Sequence, residues 1–188
     1  MLENIYVTIV IIAVLMILDY SLTLKGFKFY KKKYSKFIQA ESYELNPLFK
    51  DSVNKNKYNI KHFFSIILVI LLLYAFHYLS FHGIFMFTPS SFYFLQGMIF
   101  SMFICINSRH IQNLMIFNAI NKNPSMLSGK LKQSILFSLK ASQAQLFSLS
   151  LILIIVFLFS PNMFFLGFAV GPLIILYKSH TWIKKSQS

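Results

Sequence analysis

The sequence has little of what covers a soluble protein or staples a secreted one. Only 12% of its 188 residues are charged, too few to coat a chain that is 56% hydrophobic and 18% aromatic, so the apolar excess must face lipid. It has one cysteine, Cys105, so neither a disulfide nor a cysteine zinc cluster closes within one chain. Set in an apolar run, Cys105 reads as a small apolar filler. Motifs of familiar catalysis are missing too: no His-Glu-x-x-His, no Gly-x-Ser-x-Gly and no glycine-rich phosphate loop. No internal repeat is detectable, nor the inverted repeat of a large transporter, and no cofactor is assigned.

What is there is length without charge. A spanning helix needs about 20 mainly apolar residues to cross a hydrocarbon core of about 30 Å. Five stretches qualify, at about 5–24, 63–81, 90–120, 130–159 and 163–178, the last being the shortest. The expected fold is all-α, a single membrane domain over residues 1–188 with about five transmembrane helices and a basic loop at 25–61.

A net charge of +13 could indicate nucleic acid, but its placement argues otherwise. Ten lysines lie between Lys25 and Lys61, a second group runs from Arg109 to Lys140, and Lys178, Lys184 and Lys185 follow. These are alternate loops of a five-helix chain. The opposite loops hold Glu3, the segment from His82 to Pro89, and Ser160 with Pro161, without Lys or Arg. The positive-inside rule therefore predicts the amino terminus outside, the carboxyl terminus in the cytoplasm and a multi-pass protein of the cell membrane. No cleaved signal peptide is expected, because Glu3 replaces a positive leader and no small-residue cleavage site follows; helix one is a retained anchor.

Lys31, Lys32, Lys33 and Lys36 alternate with Phe27, Phe29, Tyr30 and Tyr34, the composition of an interfacial segment whose aromatics sit among headgroups and whose lysines meet anionic lipid. The bilayer and its anionic headgroups are thus expected partners, nucleic acid is not, and a homo-oligomer or a membrane-complex partner is expected beside them. Helix three opens with Thr88 as cap and Pro89 at its first position and continues to Ile120. It exceeds a bilayer, as does helix four, so the two are expected to form a long antiparallel hairpin projecting into the cytoplasm. Gly167 and Gly171 on helix five, and Gly97 and Ser101 on helix three, have the spacing of close helix approach. Ser138, Ser142, Gln145 and Ser148 share one face of helix four, also read as packing.

Asp19 is the most informative residue. A carboxylate inside a spanning helix is costly and faces a partner or a wet cavity, and Thr23 lies one turn on. Arg109, the one arginine beside seventeen lysines, is its expected partner, since a guanidinium fork does what an ammonium does not. His110 follows it, and Asn113 is one turn along. Glu44 and Asn46 sit in the lysine-rich loop, where Asn46 before Pro47 favours a turn and can cap a helix from Leu48. Topology puts Asp19, Thr23, Glu44, Asn46, Arg109, His110 and Asn113 at one depth, a candidate binding cluster at the cytoplasmic boundary. Its members also have plain readings as an ion pair, a boundary cation and a cap. Carboxylates and imidazole suit several divalent ions, but no recognised ligand spacing is present and no metal is assigned. His62, His77, His82 and His180 read as boundary residues.

Asp19-Tyr-Ser-Leu-Thr23 followed by Glu44-Leu-Asn46-Pro47 resembles a group of small uncharacterised prokaryotic polytopic membrane proteins with Asp-x-x-x-Thr near the end of the first helix and then Glu-x-Asn-Pro. The resemblance covers the first third of the chain, with a longer lysine-rich insert here, and implies a shared site without naming a reaction. Three functions fit: binding or translocation of a small solute, ion or lipid headgroup; a membrane-embedded enzyme acting on lipid or peptide; and a scaffold subunit of a membrane complex.

Overall fold

The computed structural model describes every residue except 1–3, 42, 47, 85, 86, 127, 128 and 188, and every side chain of those except 33, 126, 131 and 185–187. Glu3, Ser42 and Pro47 thus lie outside the described residues, as does the side chain of Lys185. In chain order the elements are α1 (Ile5–Phe29), a π-helical turn (Tyr30–Tyr34), β1 (Ile38–Ala40), α2 (Lys50–Asn54), α3 (Ile60–Phe81), α4 (Pro89–Lys122), β2 (Leu131–Gln133), α5 (Ile135–Phe159) and α6 (Met163–Gln187). Among the described residues five helices are long and apolar enough to cross a membrane, and the fold is an all-α membrane bundle.

Each long helix starts on a polar side chain that accepts from its first free N–H groups: Asn4, Asn59, Thr88, Ser134 and Asn162. These caps fix where the elements begin. α5 starts at Ile135 and not near Lys130, because Leu131–Gln133 pair in parallel with Ile38–Ala40 before Ser134 caps the helix. α6 continues past Lys178 to Gln187, and α1 runs on to Phe29 and into the π-helical turn, so the basic loop is shorter than residues 25–61.

Contacts between helices fix their relative directions. Thr8 meets Gln96, Asn107 reaches the Leu15 carbonyl and Asp19 meets His110, so α1 and α4 run parallel. Gly97 lies against Phe164 and Phe168, and Gly171 against Met98 and Ser101, so α4 and α6 are parallel too. A Cβ on Gly97 would overlap the Phe164 carbonyl, and one on Gly171 the Ser101 hydroxyl, so these backbones approach as the small-residue spacing predicts. α3 runs the other way, with His62 bonded to the Met16 carbonyl, and α5 likewise, with Arg109 bonded to Ser142. The lysine-bearing ends of the long helices therefore lie together.

α4 is the central element. α1 and α3 pack on one side of it around Ile12, Met16, Leu73, Phe92 and Phe100. On its other side lies α6, which also carries α5. The long helices three and four of the sequence are thus not a closed hairpin: α6 packs against both, and α4 and α5 touch little directly. The glycines explain this, since they let α6 lie closer to α4 than α5 can.

With 34 residues α4 is about 51 Å long, well beyond a bilayer core. Its overrun is sheathed by the first loop: Tyr34 stacks on Phe117 at 4.6 Å and its hydroxyl donates to the Phe117 carbonyl. Leu68, Leu71 and Leu72 of α3, with Leu151, Ile155 and Leu158 of α5, face outward where lipid covers them.

Candidate functional site

The site begins with a turn of α1. Thr23 donates its hydroxyl hydrogen to the Asp19 carbonyl at 2.9 Å, the usual back-bond of a threonine in a helix. Its oxygen also lies 3.0 Å from Nε2 of His110, and the Asp19 carboxylate lies 3.1 Å from the same nitrogen. The threonine hydrogen is already committed and both neighbours of Nε2 are acceptors. Nε2 therefore carries a hydrogen, shared between the two, and the tautomer of His110 is fixed. The other ring nitrogen, Nδ1, is buried without a hydrogen-bond partner among the described residues, in a residue only 6% exposed.

The expected Asp19–Arg109 pair is corrected by this arrangement. Arg109 donates from Nη1 to Ser142 Oγ at 2.5 Å, while the next residue, His110, takes Asp19. Consecutive helical positions point about 100° apart, so on one helix only one of the two can face α1.

Arg109, His110 and Asn113 line a cavity of about 280 Å³. The first loop closes it with Tyr43 and Glu44, α5 supplies Ser138, Ser142 and Gln145, and Tyr30 and Phe117 are aromatic walls. The strand pair roofs it through Ile38, Ala40 and Gln133. That roof is tied down: Ala40 N–H donates to the Tyr30 hydroxyl at 3.0 Å, Glu41 accepts from Ile135 N–H at 3.0 Å, and Gln133 donates to Ser138 at 3.0 Å. Glu41 thereby meets the positive end of α5.

Asn46 does not line the cavity. Its side chain accepts from Leu48 N–H at 3.1 Å in an Asx-turn leading to α2, and its own N–H donates to Glu44 Oε1 at 2.7 Å. It therefore acts as the turn-former that its plain reading describes, and it orients Glu44. Burial pushes the Glu44 carboxyl up from its ordinary value, against the lowering effect of the Asn46 N–H and of the nearby His110 and Arg109 charges. Burial likewise raises the Tyr43 phenol.

Of the residues expected in the cluster, Asp19 and Thr23 thus hold His110, Glu44, Arg109, His110 and Asn113 share the cavity, and Asn46 stands behind Glu44. Sequence reasoning missed the α5 wall. The stripe Ser138, Ser142, Gln145 stands at helical spacing and reads as packing in the sequence; of that face Ser138 and Ser148 also bond back along α5, to the carbonyls of the capping Ser134 and of Ala144. Gln96, fully buried and bonded to Thr8 at 2.6 Å, and Asn107, bonded to the Leu15 carbonyl at 3.0 Å, were missed as well. A lone amide in an apolar helix is the signal that could have found them. His62, expected at a boundary, stacks on Tyr20 at 4.6 Å and bonds the Met16 carbonyl at 3.1 Å, bracing α1 just before Asp19.

Among the described residues no group of three histidine, cysteine or acidic side chains converges closely enough to hold a metal ion. The polar end of the bundle offers instead a fixed imidazole, a guanidinium and neutral donors around one space. Comparison with protein-family models, with curated proteins and with solved structures gives no match to this chain.

Proposed function

We propose that the protein is a membrane-embedded binding component that takes a small polar solute, an ion or a lipid headgroup into the cavity beside Arg109 and His110, for transport or sensing. The observation that carries this reading is the cavity itself, about 280 Å³ and walled by Glu44, Arg109, His110, Asn113, Ser142 and Gln145. Polar and charged groups are expensive at membrane depth and are kept where they act. The volume is near the lower end of small-molecule sites, about 300–1,000 Å³.

In this reading the lysine-bearing end is cytoplasmic, by the positive-inside rule, in the cell membrane, and the lysines between Lys25 and Lys61 meet anionic headgroups. Asp-x-x-x-Thr and Glu-x-Asn-Pro, shared with the small prokaryotic membrane proteins it resembles, then belong to one site. The contacts of Asp19 and Thr23 with His110, and the place of Glu44 on the same cavity, support that grouping. Five helices leave little room for a private pathway, so a second copy or a partner subunit completes one.

The test is thermal unfolding in phosphatidylcholine nanodiscs with sodium sulfate, sodium acetate, glycine or choline chloride. At least one probe should stabilise the wild type, by an amount growing as RT ln(1 + [L]/Kd). The same probe should leave Ala141→Trp, whose indole fills the cavity, unmoved. Stabilisation of both proteins alike, or of neither by any probe, overturns the reading.

A second reading, an enzyme acting on lipid or peptide, is favoured by one observation: His110 has its Nε2 hydrogen fixed by a carboxylate and its Nδ1 unpartnered, the arrangement of an oriented general base. Equal turnover of an inner-leaflet lipid by the wild type and by a Glu44→Gln, His110→Ala double variant would exclude it.

A further inference from the structure

We infer that the ligand of this cavity is a small oxyanion, a carboxylate or phosphate-type group held by Arg109, and that it enters with one proton, which His110 takes up at Nδ1. The inference rests on the reading of the cavity as a binding site and adds its chemistry.

Nε2 is committed as a donor to Asp19 and Thr23 in either charge state, so the charge of His110 is decided at Nδ1 alone. Neutral, Nδ1 offers only a lone pair, in a residue 6% exposed, and no group among the described residues answers it. Protonated, it is a second donor on a ring that lines the same cavity as the guanidinium. Arg109 has five N–H donors in a planar fork, and Ser142 engages one of them. Asn113 and Gln145 add neutral amide donors around the same space.

An oxyanion between these groups is repelled by the Nδ1 lone pair and attracted by Nδ1–H. Anion and proton therefore favour one another, and by linkage each raises the affinity for the other equally. A cationic ligand meets the guanidinium and finds nothing to pair with at a protonated Nδ1.

The remaining charged and titratable groups around His110 and its cavity are, among the described residues, Asp19 from α1, with His62 of α3 behind it, Tyr30 from the π-helical turn, its hydroxyl held by Ala40 N–H, Tyr43 and Glu44 from the first loop, and Arg109 on its own helix. α5 lines the cavity with Ser138, Ala141, Ser142 and Gln145, none titratable, and among the described residues α6 contributes nothing to the lining. Asp19 stabilises the imidazolium from the far side of the ring. Burial pushes the Glu44 carboxyl up from its ordinary value, against the lowering effect of the Asn46 N–H and of the His110 and Arg109 charges.

The experiment is titration calorimetry of the whole protein in phosphatidylcholine nanodiscs with sodium sulfate and, separately, sodium acetate, at pH 7.5 in two buffers of different ionisation enthalpy. The expected result is uptake of about one proton per anion, with affinity falling about tenfold per pH unit wherever that proton is taken up. His110→Gln, which keeps a donor towards Asp19, should bind the anion without proton uptake, and Arg109→Gln should bind at least about tenfold more weakly. The wild-type pH dependence stands as a test even where a variant fails to fold.

Discs containing phosphatidylglycerol separate the sources. Loss of sulfate and acetate binding there identifies a lipid headgroup as occupant, and unchanged binding a free anion; either agrees with the inference. Anion binding without proton exchange, equal uptake by His110→Gln, or stabilisation by choline alone overturns the inference while leaving the cavity a binding site. No binding of any probe overturns both.

Discussion

The Asp19 carboxylate on α1 lies 3.1 Å from Nε2 of His110 on α4, and the Thr23 hydroxyl, one turn along α1, closes on the same nitrogen at 3.0 Å. This contact joins two parallel helices at the depth where the cavity opens. Asp19→Asn should therefore lower stability by about 1–3 kcal/mol, the cost of leaving a buried polar partner poorly answered. In a double-mutant cycle with His110→Gln the coupling should exceed about 0.5 kcal/mol. Reversible unfolding in mixed micelles measures it, and strict additivity would mean that the pair contributes nothing.

The α4–α6 contact is a contact of backbones. Gly97→Val places two methyl groups where the Phe164 carbonyl already lies, and should cost at least about 1–3 kcal/mol by overpacking. Gly83→Ala is the control: its φ of +65° is unfavourable for a side chain, but nothing lies within 4 Å, so only the backbone cost of about 1–2 kcal/mol applies. Unfolding of the two variants side by side separates packing from backbone strain.

Burial raises the Glu44 carboxyl above its ordinary value of 4.5, so the folded state holds that proton more tightly than the unfolded chain. The contribution of Glu44 is therefore fully present below the ordinary carboxylate range and is lost as pH rises through the higher, folded value. Relative to Glu44→Gln, whose amide still accepts from Asn46 N–H, the wild type should lose stability as pH rises through that window. Melting temperatures from pH 4 to pH 8 reveal the trend, and parallel curves would contradict it.

Gln39 pairs with Lys132 in the register of the β1–β2 ladder. Gln39→Cys and Lys132→Cys on a Cys105→Ala background should cross-link under mild oxidant, as paired strand positions fall within the reach of a disulfide. A pair shifted by two residues, Gln39→Cys with Ser134→Cys, should link far more slowly. Equal yields would show that the roof of the cavity is not paired this way.

Much of the fold was legible because a bilayer demands little beyond length. Runs such as Ile5 to Leu24 carry the helix signal in composition alone, and alternating lysine loops show which helix ends lie together. The interior of the bundle was less legible. That α6 lies between α4 and α5 depends on the shape of a glycine face, and helix length does not encode it. β1 and β2 have three residues each, too few for an alternation to show. The site residues were legible as an inventory, since a carboxylate, an arginine and a histidine stand out in apolar helices. Their pairing was not: charge alone favours Arg109 for Asp19, whereas the rotation of α4, set by all its packed faces, turns His110 towards α1 and Arg109 towards Ser142.

The place of α6 between α4 and α5 also sets an order of assembly during synthesis. α1, α3 and α4 precede α5 in the chain and pack on one another, whereas α5 has most of its helix contacts with α6, made after it. The Asp19–His110 contact thus joins elements made early, while the helix that backs the Ser138, Ser142 and Gln145 wall is made after it. A nascent chain therefore carries both partners of the imidazole contact before it carries the helix on which α5 packs.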